Sequence, residues 1–175
     1  ETANGYRNSA CKVGLVEFEL KVRFEIKETN IPKNSSHKIK KTIVENIDVL
    51  NEVDEFICPT AYYDEPQYGY DYDFANTYIH GISWADVSSA ASFNFVWKNL
   101  LEKPILNADF VLAHNYSFEK SVIIQSLRDF SLDYPEILWL CSLEIARKKW
   151  ELTSYNLSNV CGERIDKGTG TAAPR

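Results

Sequence analysis

The sequence has no methionine in 175 residues. An initiator residue is therefore missing, and the chain is expected to be a processed or partial product whose natural beginning lies upstream. Long apolar runs are missing too. None approaches the ~20 residues of a bilayer span, and no secretory leader is visible. No membrane association and a cytoplasmic location are expected. Histidine is scarce, with three in all, and the four cysteines (Cys11, Cys58, Cys141, Cys161) have no CxxC spacing. A zinc site is thereby excluded. Three of the cysteines lie in apolar runs, "SACKVGLV", "EFICPT" and "ILWLCSL", which favours buried reduced thiols over disulfides. Positive charge is short as well. A net charge of -6 argues against a basic nucleic-acid coat, although a site that holds cations can still recruit phosphate through the metal.

What is present is the balance of a globular domain, 45% hydrophobic and 25% charged, long enough for one sizeable core. Residues 10–20, "ACKVGLVEFEL", begin apolar and then alternate. Val16, Phe18 and Leu20 fall on one side and Glu17 and Glu19 on the other, as in a strand running from buried to half-exposed. "KVRFEIKE" continues or pairs with it. Residues 29–41 are polar with Pro32 and a basic cluster; they are expected to be a loop, its lysines a solvated tip or a phosphate patch. "VDEFICPT" is a strand stopped by Pro59. Residues 61–78, "AYYDEPQYGYDYDFANTY", fit no period and are expected to form a surface loop. Its rings either pack down on the domain or offer stacking platforms for bases.

From there helices and strands alternate. Ser92 is expected to cap a helix carrying Phe93, Val96, Trp97, Leu100 and Leu101, closed by Pro104. "ADFVLAHN" is a short strand, and "YSFEKSVIIQSLRDF" an amphipathic helix with Phe118, Val122, Ile123, Ile124 and Leu127 inward. "EILWLC" is another strand, and Ser142 is expected to cap "LEIARKKW". "SYNLSNVCGERI" forms one more helix, and "GTGTAAPR" has no period. The pattern is an α/β layer fold with a mixed sheet.

Three stretches in order carry a resemblance: "ETAN…NSACKVGLV", "NTYIHGISWADV" and "ADFVLAHNYSFEKSVI". They resemble the Asp-Phe-Glu-Thr-Ala-Asn, Ile-His-Gly-Ile-Thr and His-Asn-x-x-Phe-Asp segments of the DnaQ-like (DEDDh) 3′–5′ exonuclease superfamily, the proofreading and RNase T-like nucleases. "LCSLEIARKKW…SYNLSNVC" is similar to the Cys-Thr-Leu-x-x-Ala-Arg and Ser-Tyr-x-Leu-x-x-Leu-Cys pattern of many members.

The resemblance implies a ribonuclease H-like α/β fold, a mixed sheet flanked by helices, with its first strand missing upstream. It implies an exonuclease domain over residues 1–165 with an insertion at about 21–55, and a disordered tail over 166–175. Loss of the central first strand implies open edges on strands 10–20 and 109–114. The implied activity is 3′–5′ hydrolysis of phosphodiesters at single-stranded DNA or RNA ends with two Mg²⁺ or Mn²⁺ ions, with a polymerase or other protein as a further partner. Glu1 and Glu119 correspond to catalytic metal ligands. Thr2, Ala3, His80, His114, Asn115 and Phe118 correspond to substrate contacts. His114 and Asn115 also read as residues that satisfy local backbone groups, Glu119 as a solvated helix-start acid, and Glu1 as an exposed terminal one.

The chain departs from the family in three places. The Asp two residues before Glu1 is absent, Glu119 stands where an Asp is expected, and no His follows His114. The base-bearing His-x-x-x-x-Asp motif therefore has no counterpart. Two readings remain open: the core of a metal-dependent exonuclease, inactive by itself, or a degenerate nuclease fold kept as a nucleic-acid or protein binding module.

Overall fold

The computed structural model describes residues 1–3, 5, 9–29, 37–59 and 74–168. The chain is mixed α and β and divides into two units, Val13–Glu55 and a larger one comprising Glu1–Lys12 and Phe56–Arg175. No helix among the described residues is long and apolar enough to cross a membrane.

The smaller unit is a two-stranded antiparallel sheet, β1 (Lys12–Thr29) against β2 (His37–Phe56). Alternation in "LVEFELKVRF" is carried through as one continuous strand. The expected loop over 29–41 is corrected at its C-terminal end, because residues 37–41 belong to β2. Thr42, Ile43 and Val44 supply β-branched residues after the lysines, which suits an extended backbone; residues 30–36 lie outside the described set. Lys21 Nζ meets Asp48 Oδ2 at 2.6 Å and Arg23 Nε meets Glu45 Oε1 at 2.9 Å across the strands. Both pairs are well exposed, so each contributes little to stability.

In the larger unit β2 ends at Phe56, ahead of the strand stop expected at Pro59, and Cys58 makes a parallel bridge with Ser92. Residues 60–73, which hold most of the aromatic-rich stretch, lie outside the described residues. Its last part is corrected from loop to a one-turn helix, α1 (Thr77–His80), closed by Gly81 at φ 75°. That left-handed conformation suits a residue without Cβ. α2 (Trp84–Val87) follows. Ser92 caps α3 (Phe93–Val96) as expected, accepting from the Phe95 N–H at 3.4 Å.

Pro104 does not close this helix. The chain continues through a π-helical turn (Trp97–Leu101) into α4 (Glu102–Asn107), with Pro104 inside it. A proline in a regular helix clashes with the carbonyl four residues back, and here the turn immediately before it is π-helical, its Glu102 N–H donating to the Trp97 carbonyl five residues back.

β3 (Val111–Ala113) leads into α5 (Tyr116–Asp129), and β4 (Trp139–Cys141) into α6 (Ser142–Lys149). β3 and β4 are parallel, with Val111 opposite Trp139 and Ala113 opposite Cys141. Ser142 is the first helical residue and Cys141 holds the cap position, a correction of the expected Ser142 cap. α7 (Leu157–Gly168) runs into the stretch read as a tail; residues 169–175 are outside the described set.

Among the described residues the expected single mixed sheet is instead two small sheets, β1–β2 and β3–β4. The Cys11 N–H donates to the Glu1 carbonyl at 2.9 Å, and the Cys11 carbonyl accepts from the Ile57 N–H at 2.9 Å. At Cys11 both ladder groups are thus already occupied.

One buried cluster joins Ala3, Cys11, Ile82 and Val87. Phe93 and Trp97 stack at 6.0 Å, and Leu127 of α5 is fully buried. Of the inward positions expected on α5, Leu127 alone is buried; Phe118, Val122, Ile123 and Ile124 are half-buried. Cys11, Cys58 and Cys141 are buried free thiols and Cys161 is an exposed one. Leu127→Ala is expected to cost about 2–5 kcal/mol through lost burial and the cavity left behind, measured by urea unfolding with unchanged far-UV CD at zero denaturant.

Candidate functional site

Glu1 is fixed by its backbone. Its ammonium donates to the Lys12 carbonyl at 2.7 Å, and its carbonyl accepts from the N–H groups of Cys11 and Lys12. Thr2 and Ala10 form an antiparallel bridge, and the Ala3 N–H donates to the Ser9 carbonyl at 2.7 Å. Thr2 and Ala3 are buried, so the pair expected to face substrate is packed inside. Asn76 locks it there: its Nδ2 donates to the Thr2 carbonyl at 3.1 Å and to the Thr2 hydroxyl at 3.3 Å.

His80 completes this clasp. The Ile82 N–H donates to His80 Nδ1 at 3.0 Å, so Nδ1 is the acceptor and Nε2 carries the hydrogen, given to the Thr2 carbonyl at 3.1 Å. Both ring nitrogens are engaged. An open cavity of about 480 Å³ lies beside it, lined by Glu1, Lys12, Phe56, Ile79, His80 and Asp86 among others. Asp86 is already committed. It takes the Ser83 hydroxyl and N–H at 2.6 and 2.7 Å as the α2 capping box, and those bonds hold its carboxyl below the usual range.

The "HNYSFE" segment is built at the β3–α5 junction. Asn115 has φ 70° and ψ 51° and makes no side-chain cap bond. This left-handed turn is what the asparagine satisfies, since Asn tolerates that region better than most residues. His114 is bound at both nitrogens. Nε2–H donates to the Tyr155 carbonyl at 2.8 Å, so in the neutral ring Nδ1 accepts from the Ser142 hydroxyl at 3.0 Å. Phe118 is half-buried beside Glu119 on the first turn of α5.

Glu119 is not the solvated acid that its position allows. Its Oε2 is buried and has no hydrogen-bond partner. Burial pushes its carboxyl pKa up, and the Glu1 carboxylate adds to that. Its own backbone N–H, the Glu1 ammonium and His114 pull the other way without cancelling the rise. Glu1, Glu119 and His114 thus share one electrostatic neighbourhood. Thr2, Ala3 and His80 form an adjoining hydrogen-bonded group, and Asn115 serves the backbone between β3 and α5.

Cys141 carries a feature that apolar-run reasoning missed. Burial alone would push its thiol up, but the nearby backbone N–H groups of Glu144, Tyr116, Asn115 and Leu143 outweigh it and hold the thiol below its ordinary range. The available signal was a cysteine at a strand end directly before a helix, where unpaired N–H groups gather. Cys11, without such donors, is pushed up to about 11, first by burial.

No protein-family model matches the chain, and no curated protein matches it.

Two outcomes test these roles. Asn115→Gly is expected to keep wild-type stability while Asn115→Ala loses about 1 kcal/mol, read from urea midpoints. Glu119 has a raised folded pKa, so its protonated form is the one that favours folding. That contribution is complete below its ordinary value of 4.5 and is lost as pH rises through the folded value. In metal-free buffer Glu119→Gln should therefore gain melting temperature over wild type as pH rises from 4 to 8. A constant difference would refute the assignment.

Proposed function

We propose that this chain is the ribonuclease H-like core of a cytoplasmic, Mg²⁺- or Mn²⁺-dependent 3′–5′ exonuclease acting on single-stranded DNA or RNA ends. The observation that carries this reading is the buried Oε2 of Glu119, without a hydrogen-bond partner and in the field of the Glu1 carboxylate. A carboxylate oxygen removed from water without a donor is costly, and a divalent cation held by Glu1 and Glu119 offsets that cost. The ordered segments around Glu1, His80 and Glu119 supply the nuclease context.

The residues fit one hard cation rather than two. Mg²⁺ binds through one or two carboxylates, with waters and substrate phosphates completing its shell. Among the described residues no group of three or more His, Cys, Asp and Glu could hold a metal. When bound, the cation supplies charge stabilisation at the phosphodiester. His80 and His114 position backbone: each spends both nitrogens on protein groups, so neither has a free lone pair to take a proton from water.

That spending favours the second reading, a nuclease fold that holds 3′ ends, or a protein partner, without rapid turnover. These 175 residues are expected to show little or no hydrolysis.

The test uses the full chain with Mg²⁺ or Mn²⁺ and a fluorescent single-stranded oligonucleotide. Either cation is expected to raise the melting temperature of wild type at pH 7 and to leave Glu119→Gln unmoved, with oligonucleotide anisotropy rising only when cation is present. No cation effect on melting removes the metal site. Rapid 3′-directed degradation overturns the low-turnover expectation.

A further inference from the structure

Among the described residues β1 and β2 form a two-stranded sheet that no third strand joins, so no described strand lies along the outer edge of β1. A two-stranded sheet of this length is marginal alone in water, and an open edge is a template for another strand. Four of its apolar side chains stay exposed: Val16 is 53%, Leu20 37%, Val22 41% and Phe24 54% accessible, while Phe18 is half-buried.

The order of charges on this strand says what fits the edge. Residues 16–24 read V-E-F-E-L-K-V-R-F. Reversed about Leu20, the segment matches its own complement. Antiparallel pairing with a copy of itself sets Glu17 opposite Arg23 and Glu19 opposite Lys21, twice each. On the other face it sets Val16 opposite Phe24, Phe18 opposite Val22 and Leu20 opposite Leu20. Every charged position meets the opposite sign and every apolar position meets an apolar one.

Glu17 and Glu19 make no ion pair among the described residues. The Lys21 and Arg23 side chains remain 59% and 54% exposed despite their pairs with Asp48, Glu45 and Glu25. They can reach a second carboxylate without leaving solvent.

We propose that a second copy of this chain docks on the outer edge of β1, forming a two-fold dimer centred on Leu20 with a continuous four-stranded antiparallel sheet. Nine residue pairs give roughly eight to ten interstrand hydrogen bonds, within the range of an ordinary protein–protein interface. Four strands also pass the threshold at which such a sheet becomes stable by itself. The symmetry is closed, because the same edge is used by both partners and is consumed by pairing. This inference does not depend on the nuclease reading.

Sedimentation equilibrium of the full chain, under reducing conditions that keep Cys161 from cross-linking, is expected to give twice the 20.1 kDa of one chain. Two double variants make the edge all one sign: Glu17→Lys with Glu19→Lys, and Lys21→Glu with Arg23→Glu. Each alone should weaken dimerisation by about tenfold or more through like charges directly opposite, with far-UV CD retained. Mixing the two should restore the dimer, since every mixed pair again has opposite signs, and a misfolded variant could not be rescued in that way. A monomeric wild type, open-ended assembly, dimerisation indifferent to both variants, or failure of the mixture to recover each overturns the proposal.

Discussion

Glu1 is stitched to Lys12 and Cys11 by three backbone hydrogen bonds, and the candidate site depends on that short ladder. It fixes where the Glu1 carboxylate and ammonium act on Glu119, and it delivers Thr2 to Asn76 and His80. Without it the Ala3–Cys11–Ile82–Val87 cluster would lose two of its four members. Backbone pairing here does the positioning that side chains do in many sites, and it takes Thr2 and Ala3 into the interior.

The two histidines show how one residue type is used structurally twice. His80 ties the Ile82 N–H to the Thr2 carbonyl, and His114 ties Ser142 to the Tyr155 carbonyl. Each joins segments distant in sequence, 78 residues apart for His80 and Thr2 and 41 for His114 and Tyr155. A ring with one donor and one acceptor suits such bridging, because it meets one acceptor and one donor at once. It also leaves Glu119 as the group in this neighbourhood whose polar capacity is unfilled.

The two units carry different problems. The larger unit buries Trp97, Leu101 and Leu127 and satisfies its helix ends with Ser92 and the Ser83–Asp86 box. Among the described residues of the Val13–Glu55 unit no side chain is buried, and along β1 apolar side chains alternate with charges. Along β1 the charges run acid, acid, base, base at Glu17, Glu19, Lys21 and Arg23, the order on which the proposed self-pairing rests.

The sequence by itself determined the local elements wherever period and punctuation agreed: the alternation of 16–24, the Ser92 cap, the helix after "HN", and the α/β order. It also marked Glu1 and Glu119 as the acids to watch. Pro104 and Ser142 misled because their local rules were overridden, one where the chain runs through a π turn into the next helix and one by a hydroxyl that bonds His114. Only the tertiary structure decided that Thr2 faces Asn76 and that both histidines are spent. It alone placed backbone N–H groups near the Cys141 thiol and left Glu119 Oε2 buried without a donor. Those facts depend on which segments meet across dozens of residues, and no local pattern of apolar spacing encodes the burial or the hydrogen-bond partners that such meetings create.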